Sequence, residues 1–220
     1  MKILIVGYGK MGRLIDQLAT EQGFEVVGRV NRERNEWNRA DVAIDFSTAE
    51  ALIANFGQYA ERKLHVVIGT TGWSEHESRL RTEAEHAGLG VVAAPNFSIG
   101  VNLFQMVVAE AARLLQAQPQ YGAWIYEAHH AAKRDAPSGT ALMLRNTMTQ
   151  AGFNRAIDVS FTRAGSISGI HTVGFDSPSD TIELTHTAKD RKAFAQGALL
   201  AANWVAGKTG WYSMRDVLKQ

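Results

Sequence analysis

Apolar and polar positions follow two rhythms along the first hundred residues. Short, nearly unbroken apolar runs recur as KILIVG at 2–7, FEVVGRV at 24–30, DVAIDFS at 41–47, LHVVIGTTG at 64–72 and LGVVAAPN at 89–96. Runs of this kind suit strands buried on both faces of a parallel sheet. Between them, apolar residues return at helical spacing, as in Met11, Leu14, Ile15 and Leu18 of KMGRLIDQLATEQG, which Gly23 ends. TAEALIANFGQYAERK at 48–63 reads as a second helix. SEHESRLRTEAEHAG at 74–88 reads as a third, with Ser74 as its N-cap and Glu77 three residues on. Strands alternating with helices at short spacing predict an α/β fold with a doubly wound parallel sheet.

The rhythm changes near residue 100. A longer helix is predicted over NLFQMVVAEAARLLQAQ, then a strand at GAWIYEAHH, a helix at SGTALMLRNTMTQAG, and strands near DVSFTRAG, IHTVGFDS and DTIELTHTA. This half reads as α+β with a mixed or antiparallel sheet. RKAFAQGALLAANWVAG at 191–207 is a last helix, rich in small residues. No flexible linker marks the boundary.

Composition narrows the function. The chain has 220 residues, 45% apolar and 20% charged, as expected of a globular protein. No run of 18 apolar residues predicts a membrane span. The opening MKILIVGYG enters a strand at once, so no signal peptide is expected. With a net charge of +1 and no long basic run, nucleic acid is not an expected partner. There is no cysteine, which excludes disulfides, thiolate metal sites and a cysteine nucleophile. A cytoplasmic location fits.

GYGKMG places Gly7, Gly9 and Gly12 in the spacing G-x-G-x-x-G, between the first strand and the first helix. In that context the glycines permit a tight turn and close backbone approach to a pyrophosphate, while the helix N-terminus offers N–H donors. The first half is thus expected to be a Rossmann-like dinucleotide domain. The end of the second strand discriminates between dinucleotides, and an acid there accepts from the adenosine ribose. Here Asn31 stands in that place with Arg32 beside it. Asn suits a ribose hydroxyl and Arg a ribose phosphate, although both also suit a solvated surface, and Glu33 leaves NADPH and NADH both open. Two further turns, GTTG at 69–72 and APNFSIG at 94–100, belong on the same rim of strand ends.

The stretch YEAHHAAKRDAPSGTA at 126–141 holds the densest chemistry. On a strand His129 and His130 point to opposite faces, which gives them different tasks. Ser138 is placed to cap the next helix, and the N–H groups of Gly139 and Thr140 to face an anion. With Lys133 close by, the natural ligand group is a carboxylate, and a neighbouring histidine can supply a proton near neutral pH. A metal reading with His129, His130, His171, His186 and Glu127 is not favoured: adjacent histidines diverge and no helical H-x-x-x-H pair occurs. No metal is expected.

This stretch resembles the signature of the dihydrodipicolinate reductase (4-hydroxy-tetrahydrodipicolinate reductase) family. GYGKMGR, DVAIDFS, GTTGW, APNFSIGVNL, THTAKDRKAFAQGALLAANW and YSMRDVL resemble family segments in the same order. The resemblance implies a nucleotide domain of residues 1–99 plus 190–220 and a substrate and oligomerisation domain of residues 100–189, assembled as homotetramers. It implies hydride transfer from NAD(P)H to 4-hydroxy-tetrahydrodipicolinate, a cyclic dicarboxylate, giving tetrahydrodipicolinate and water in lysine and diaminopimelate biosynthesis. By the same resemblance His129 and Lys133 are proton donors, and His130, Ser138, Gly139 and Thr140 bind substrate. The cofactor would be lined by Gly7, Tyr8, Gly9, Lys10, Met11, Gly12, Asn31, Arg32, Gly69, Thr70, Thr71, Ala94, Pro95, Asn96 and Phe97. The chain departs from many members in a shorter glycine loop, in Asn31 at the place of an acid, and in the short link NRERNEWNRA between the second and third strands. An amino-acid dehydrogenase would share the glycine motif without the 126–141 signature, and a cofactor-sensing regulator would need a partner element that is not visible.

Overall fold

A computed structural model describes residues 1–219, which divide into two compact units, one of residues 1–99 with 191–219 and one of residues 100–190. In the first, six parallel strands lie in the order β10-β5-β4-β3-β1-β2, with β1 at Lys2–Val6, β2 at Glu25–Val30, β3 at Val42–Asp45, β4 at His65–Ile68, β5 at Gly90–Ala93 and β10 at Gly210–Tyr212. Both faces of this sheet are covered. Side chains alternate along each strand. Ile3 and Ile5, with Ile44, Val67 and Val92, face helices α1 (Lys10–Glu21) and α6 (Lys192–Val205). Leu4 and Val6, with Ala43, Val66 and Val91, face α2 (Ala49–Glu61) and α3 (Glu77–Ala87). The expected doubly wound parallel sheet is therefore present.

The small residues of α6 have a packing reason. A Cβ on Gly197 would lie 1.8 Å from the carbonyl oxygen of Phe97, so only glycine admits that approach.

Three local readings need correction. Ser74 does not cap α3: Ser74–His76 form a short 3-10 turn, α3 starts at Glu77, and its N-cap is His76 without a side-chain bond. The side chain of Trp73 fixes this turn by donating to Thr70 O at 2.6 Å. Strand β10 was not anticipated, and neither was the short helix α7 (Met214–Leu218), which a Ser213–Asp216 capping box opens.

In the second unit the sheet order is β7-β6-β8-β9, with β6 at Gly122–His129, β7 at Ile157–Arg163, β8 at Ile170–Asp176 and β9 at Thr181–Thr187. Strands β6 and β7 are parallel and the other pairs antiparallel, so the sheet is mixed. A parallel pair needs a crossover, and α5 (Gly139–Gln150) supplies it. Leu144 and Met148 of α5 and Val108 and Ala112 of α4 (Ile99–Leu115) pack with Ile125, Val173 and Phe175 of the sheet. The burial of β7 and β9 is patchy, with Phe161 and Ile182 left exposed.

Candidate active site

The first group of site residues lies along the C-terminal rim of the parallel sheet. Gly7 turns the chain out of β1 with φ +87°, and a Cβ there would meet Phe46 O at 2.3 Å. Gly12 sits one turn into α1, where a Cβ would lie 2.2 Å from Gly7 O. Gly9 is the N-cap of α1 and has no side-chain cap, and no acid occupies the first turn at Lys10, Met11 and Gly12. The helix thus presents uncapped N–H donors under a loop that admits close approach, the arrangement that fits a pyrophosphate.

Tyr8, in this loop, is held by its own network. Its hydroxyl donates to Asp16, which also accepts from Arg29 Nε at 2.7 Å and Nη2 at 2.8 Å. Burial pushes the Asp16 carboxyl up, but the bonds from Arg29 and Tyr8 win and hold it below its usual range. Asn31 is braced by its own turn. Its Oδ1 already accepts from the N–H groups of Glu33 at 2.9 Å and Arg34 at 2.7 Å, which leaves its Nδ2 for a ligand. Arg32 is exposed. Arg34, which sequence reasoning passed over, places its guanidinium 5.4 Å above the Tyr8 ring.

A buried carboxylate joins the next two turns. Asp45, fully buried at the end of β3, accepts from Ser47 N at 2.9 Å, Ser47 Oγ at 2.6 Å and Thr70 Oγ1 at 2.7 Å on Oδ1, and from Tyr59 OH at 2.6 Å on Oδ2. Burial raises its pKa, against the pull of these bonds. Thr70 Oγ1 also accepts from Ser47 N at 2.8 Å. The Thr70 hydroxyl is therefore committed inside the protein, while Gly69 packs against the Phe46 ring and Thr71 is exposed. Phe97 is likewise buried, with its ring 5.7 Å from that of Phe46, so its side chain supports the rim from beneath. Thr70, Thr71, Ala94 and Pro95 line a cavity of about 360 Å³ together with Trp211 and Tyr212.

The second group lies in the other unit, where β6 runs out. Glu127 and His129 are buried on the last turns of the strand, and His130 follows it, half-buried. Glu127 Oε1 accepts from Ser138 N at 2.8 Å and Arg163 Nη2 at 2.7 Å. Its Oε2 lies 3.4 Å from His129 Nδ1 and 3.4 Å from His171 Nε2. Burial raises the Glu127 pKa, yet the bonds from Ser138 and Arg163 hold it below the usual carboxylate range. Burial lowers the pKa of His129, and Glu127 opposes this. The more deeply buried His171, facing the His129 ring at 5.1 Å, falls to about 4 and is neutral at pH 7.

Ser138 caps α5, its Oγ accepting from Ala141 N at 3.2 Å. Its own N–H is spent on Glu127 and its side chain is buried. Gly139 and Thr140 carry the remaining donors at the helix start. Lys133 Nζ bonds both Asp135 oxygens, at 2.7 and 2.9 Å, and the Gly139 N–H also stabilises the Asp135 carboxylate. Glu127, His129 and His171 bring ligand atoms within 4.8 Å of one another, without His130 or His186. A dication at Oε2 would lie beside the Arg163 guanidinium, which disfavours it.

Two family models match the chain: dihydrodipicolinate reductase, N-terminus, over residues 1–97, and dihydrodipicolinate reductase, C-terminus, over residues 100–218. The chain is 34% identical to the 4-hydroxy-tetrahydrodipicolinate reductase of Christiangramia forsetii, over 99% of this chain and 98% of that one. It is 35% identical to the protein of the same name from Archaeoglobus fulgidus over all of both chains. That alignment spans 261 positions against 220 residues here, so the relative carries segments this chain lacks. Among solved structures, the dipicolinate-bound dihydrodipicolinate reductase from Paenisporosarcina sp. TG-14 shares the fold with a TM-score of 0.85 at 22% identity, over 99% of each chain. An aspartate dehydrogenase from Thermotoga maritima reaches 0.50 at 12% identity, over 92% of this chain and 95% of that one.

Proposed function

The chain belongs to the dihydrodipicolinate reductase family, and on that premise we propose that His129 and Lys133 supply the protons for its reduction of 4-hydroxy-tetrahydrodipicolinate. It is an oxidoreductase of lysine and diaminopimelate biosynthesis that uses a nicotinamide cofactor. The unit of residues 1–99 and 191–220 holds the dinucleotide and the unit of residues 100–190 the substrate. The cofactor, when bound, supplies the hydride; the glycine turn and the uncapped start of α1 hold its pyrophosphate.

One observation carries the substrate reading. The Asp135 carboxylate rests on Lys133 Nζ and is stabilised by Gly139 N–H, which marks the place as one that takes a carboxylate. A substrate carboxylate displaces Asp135 there, with Thr140 and His130 as further contacts. Loss of the ring hydroxyl as water leaves a carbon–carbon double bond conjugated to the imine. Hydride adds at one carbon and charge builds on its neighbour. The Lys133 cation stabilises that charge and is a second donor, and His129 quenches it with a proton.

Steady-state kinetics test these roles. General acid catalysis contributes about 10²–10⁴-fold, so His129→Ala and Lys133→Ala should each lower turnover by that order. Cofactor affinity should hardly change, and His130→Ala should act mainly on substrate affinity. A folded His129→Ala enzyme with near-normal turnover removes the role.

NADPH is accepted at least as well as NADH, because Asn31 replaces an acid that would repel a ribose phosphate, with exposed Arg32 beside it. The exposed Phe161 and Ile182 on the second sheet support a homotetramer built through that sheet. A monomer in light scattering at micromolar concentration rejects it. Residence in the cytoplasm, where reduced nicotinamide dinucleotides are plentiful, is part of the same reading. Among the described residues no helix is long and apolar enough to cross a membrane.

A further inference from the structure

We infer that Glu127 is the positioning residue of the proton donor: its carboxylate holds His129 with the proton on Nδ1, so that Nε2 is the atom that delivers and recovers the transferred proton. The inference rests on the assignment of His129 as proton donor.

Four observations meet here. Glu127 is fully buried, yet one of its oxygens is spent on anchoring and the other is not. Oε1 is fixed from two sides, by Ser138 N and Arg163 Nη2. Oε2 has no hydrogen-bond partner within normal distance, and neither has buried His129 Nδ1, although the two lie 3.4 Å apart. Catalytic hydrogen bonds are often long before substrate is bound and shorten in the complex. A lone pair on Nδ1 facing a carboxylate would be repelled, so the neutral ring keeps its proton there. The opposite edge of the ring is left open by a glycine. A Cβ on Gly169 would stand 3.2 Å from His129 Nε2, and φ of +153° at that residue excludes other side chains.

His171 shares Oε2 at the same distance, but it is neutral, and Ser138 Oγ lies 3.2 Å from its Nε2. Charged groups around His129 are Glu127, Lys133, Asp135 and Arg163, and only Glu127 and Asp135 favour its cation. Asp135 is tied to Lys133, which leaves Glu127 as the buried anion on the ring. In the transfer, the Nε2–H bond of the imidazolium breaks and a C–H bond forms next to the carbon that received hydride. The product histidine is neutral with its proton on Nδ1, and Nε2 takes the next proton from water. The carboxylate also bonds the N-cap of α5, so one side chain sets both the donor ring and the start of the substrate-binding helix.

The test uses the full-length protein. Glu127→Gln should lower kcat by about 10–100-fold, as removal of an orienting partner typically does. Its cofactor Kd should stay within about twofold, because the change lies in the substrate unit. The double variant Glu127→Gln with His129→Ala should be no slower than His129→Ala alone, since a residue acting through another adds nothing once that other is gone. Glu127→Asp should recover part of the loss. If His129→Ala is slow but the two losses multiply, Glu127 works elsewhere and the inference fails while the donor assignment stands. If His129→Ala is near normal, the donor assignment itself fails. Should the variants not fold, ¹⁵N NMR of histidine in the unaltered protein decides: the neutral His129 ring should carry its proton on Nδ1, and an Nε2–H form overturns the inference. Loss of wild-type activity on dialysis against a chelator, restored by Zn²⁺, would also overturn it, by making Glu127 a metal ligand.

Discussion

Arg34 lies over Tyr8, its guanidinium 5.4 Å from the ring centre, at the loop that is to take the dinucleotide. Arg29, the other cation near that ring, is tied to Asp16. On the proposed acceptance of NADPH, Arg32 and Arg34 are the side chains that would meet its ribose phosphate. Arg32→Ala and Arg34→Ala should each weaken NADPH binding more than NADH binding, by at least about tenfold for a lost charge-assisted bond of about 1.5 kcal/mol. Fluorescence titration with both cofactors measures this, and equal losses for the two would assign the arginines to the surface.

Asp45 joins the turns after β3 and β4. Asp45→Ala should leave the buried Tyr59 hydroxyl and Thr70 Oγ1 short of a partner, at a cost of roughly 2–5 kcal/mol. Asp45→Asn keeps one acceptor and should cost less. Urea denaturation gives the stability, and cofactor titration should show weaker binding in the alanine variant because Ser47 and Thr70 lose their common anchor. Unchanged affinity in a destabilised protein would limit Asp45 to the core.

Acid should weaken the second unit through His171. Its folded pKa of about 4 lies below the ordinary 6.5. Between those values the unfolded chain binds the proton and the folded one does not, so stability falls as pH drops from about 6.5 toward 4 and levels off below. The contribution is at most about 3 kcal/mol. Melting temperatures from pH 7.5 to 4.5 should fall less steeply for His171→Asn than for the unaltered chain, and parallel curves would contradict the prediction.

The carboxylate place predicts inhibition. Pyridine-2,6-dicarboxylate should compete with substrate, and Lys133→Ala should raise its inhibition constant at least about tenfold, as expected when a charged hydrogen-bond partner is lost. Asp135→Asn should lower it, because the internal carboxylate no longer occupies Lys133. An inhibition constant that ignores both changes would move the pocket elsewhere.

Much of the parallel sheet could be read from the chain because burial on both faces writes itself as continuous apolar runs, with Ile3 and Ile5 serving one face and Leu4 and Val6 the other. Strand β10 left no such mark: its three residues are only half-buried, and β5 is its one strand partner. Ser74 carried a convincing capping pattern, but the Trp73 bond to Thr70 O bends the chain first. At the site, the roles expected of His129 and Lys133 came from the family resemblance, whereas the glycine turn was legible from spacing. Glu127 and Asp45 were not, since a carboxylate in a strand looks the same whether it faces water or Arg163. The one available signal was an acid inside a run otherwise apolar, as in VAID at β3. Arg163 and His171 lie 36 and 44 residues from Glu127, and only the pairing of β6 with β7 and β8 brings them to it.

Helix α6 covers the face of the parallel sheet that carries Ile3, Ile5, Ile44, Val67 and Val92, yet it comes from residues 192–205. A nascent chain has β1 to β5 by residue 93, with α1 already made for that face, but lacks α6 until about a hundred residues later. At 5–20 residues per second the half-covered face waits roughly 5–20 s on the ribosome. The intervening substrate unit is being made during that interval. Birth of this protein therefore passes through a stage with one greasy wall only partly covered, and release factors acting early, or a nonsense codon in the substrate unit, would yield fragments for chaperones and proteases rather than a small working cofactor binder.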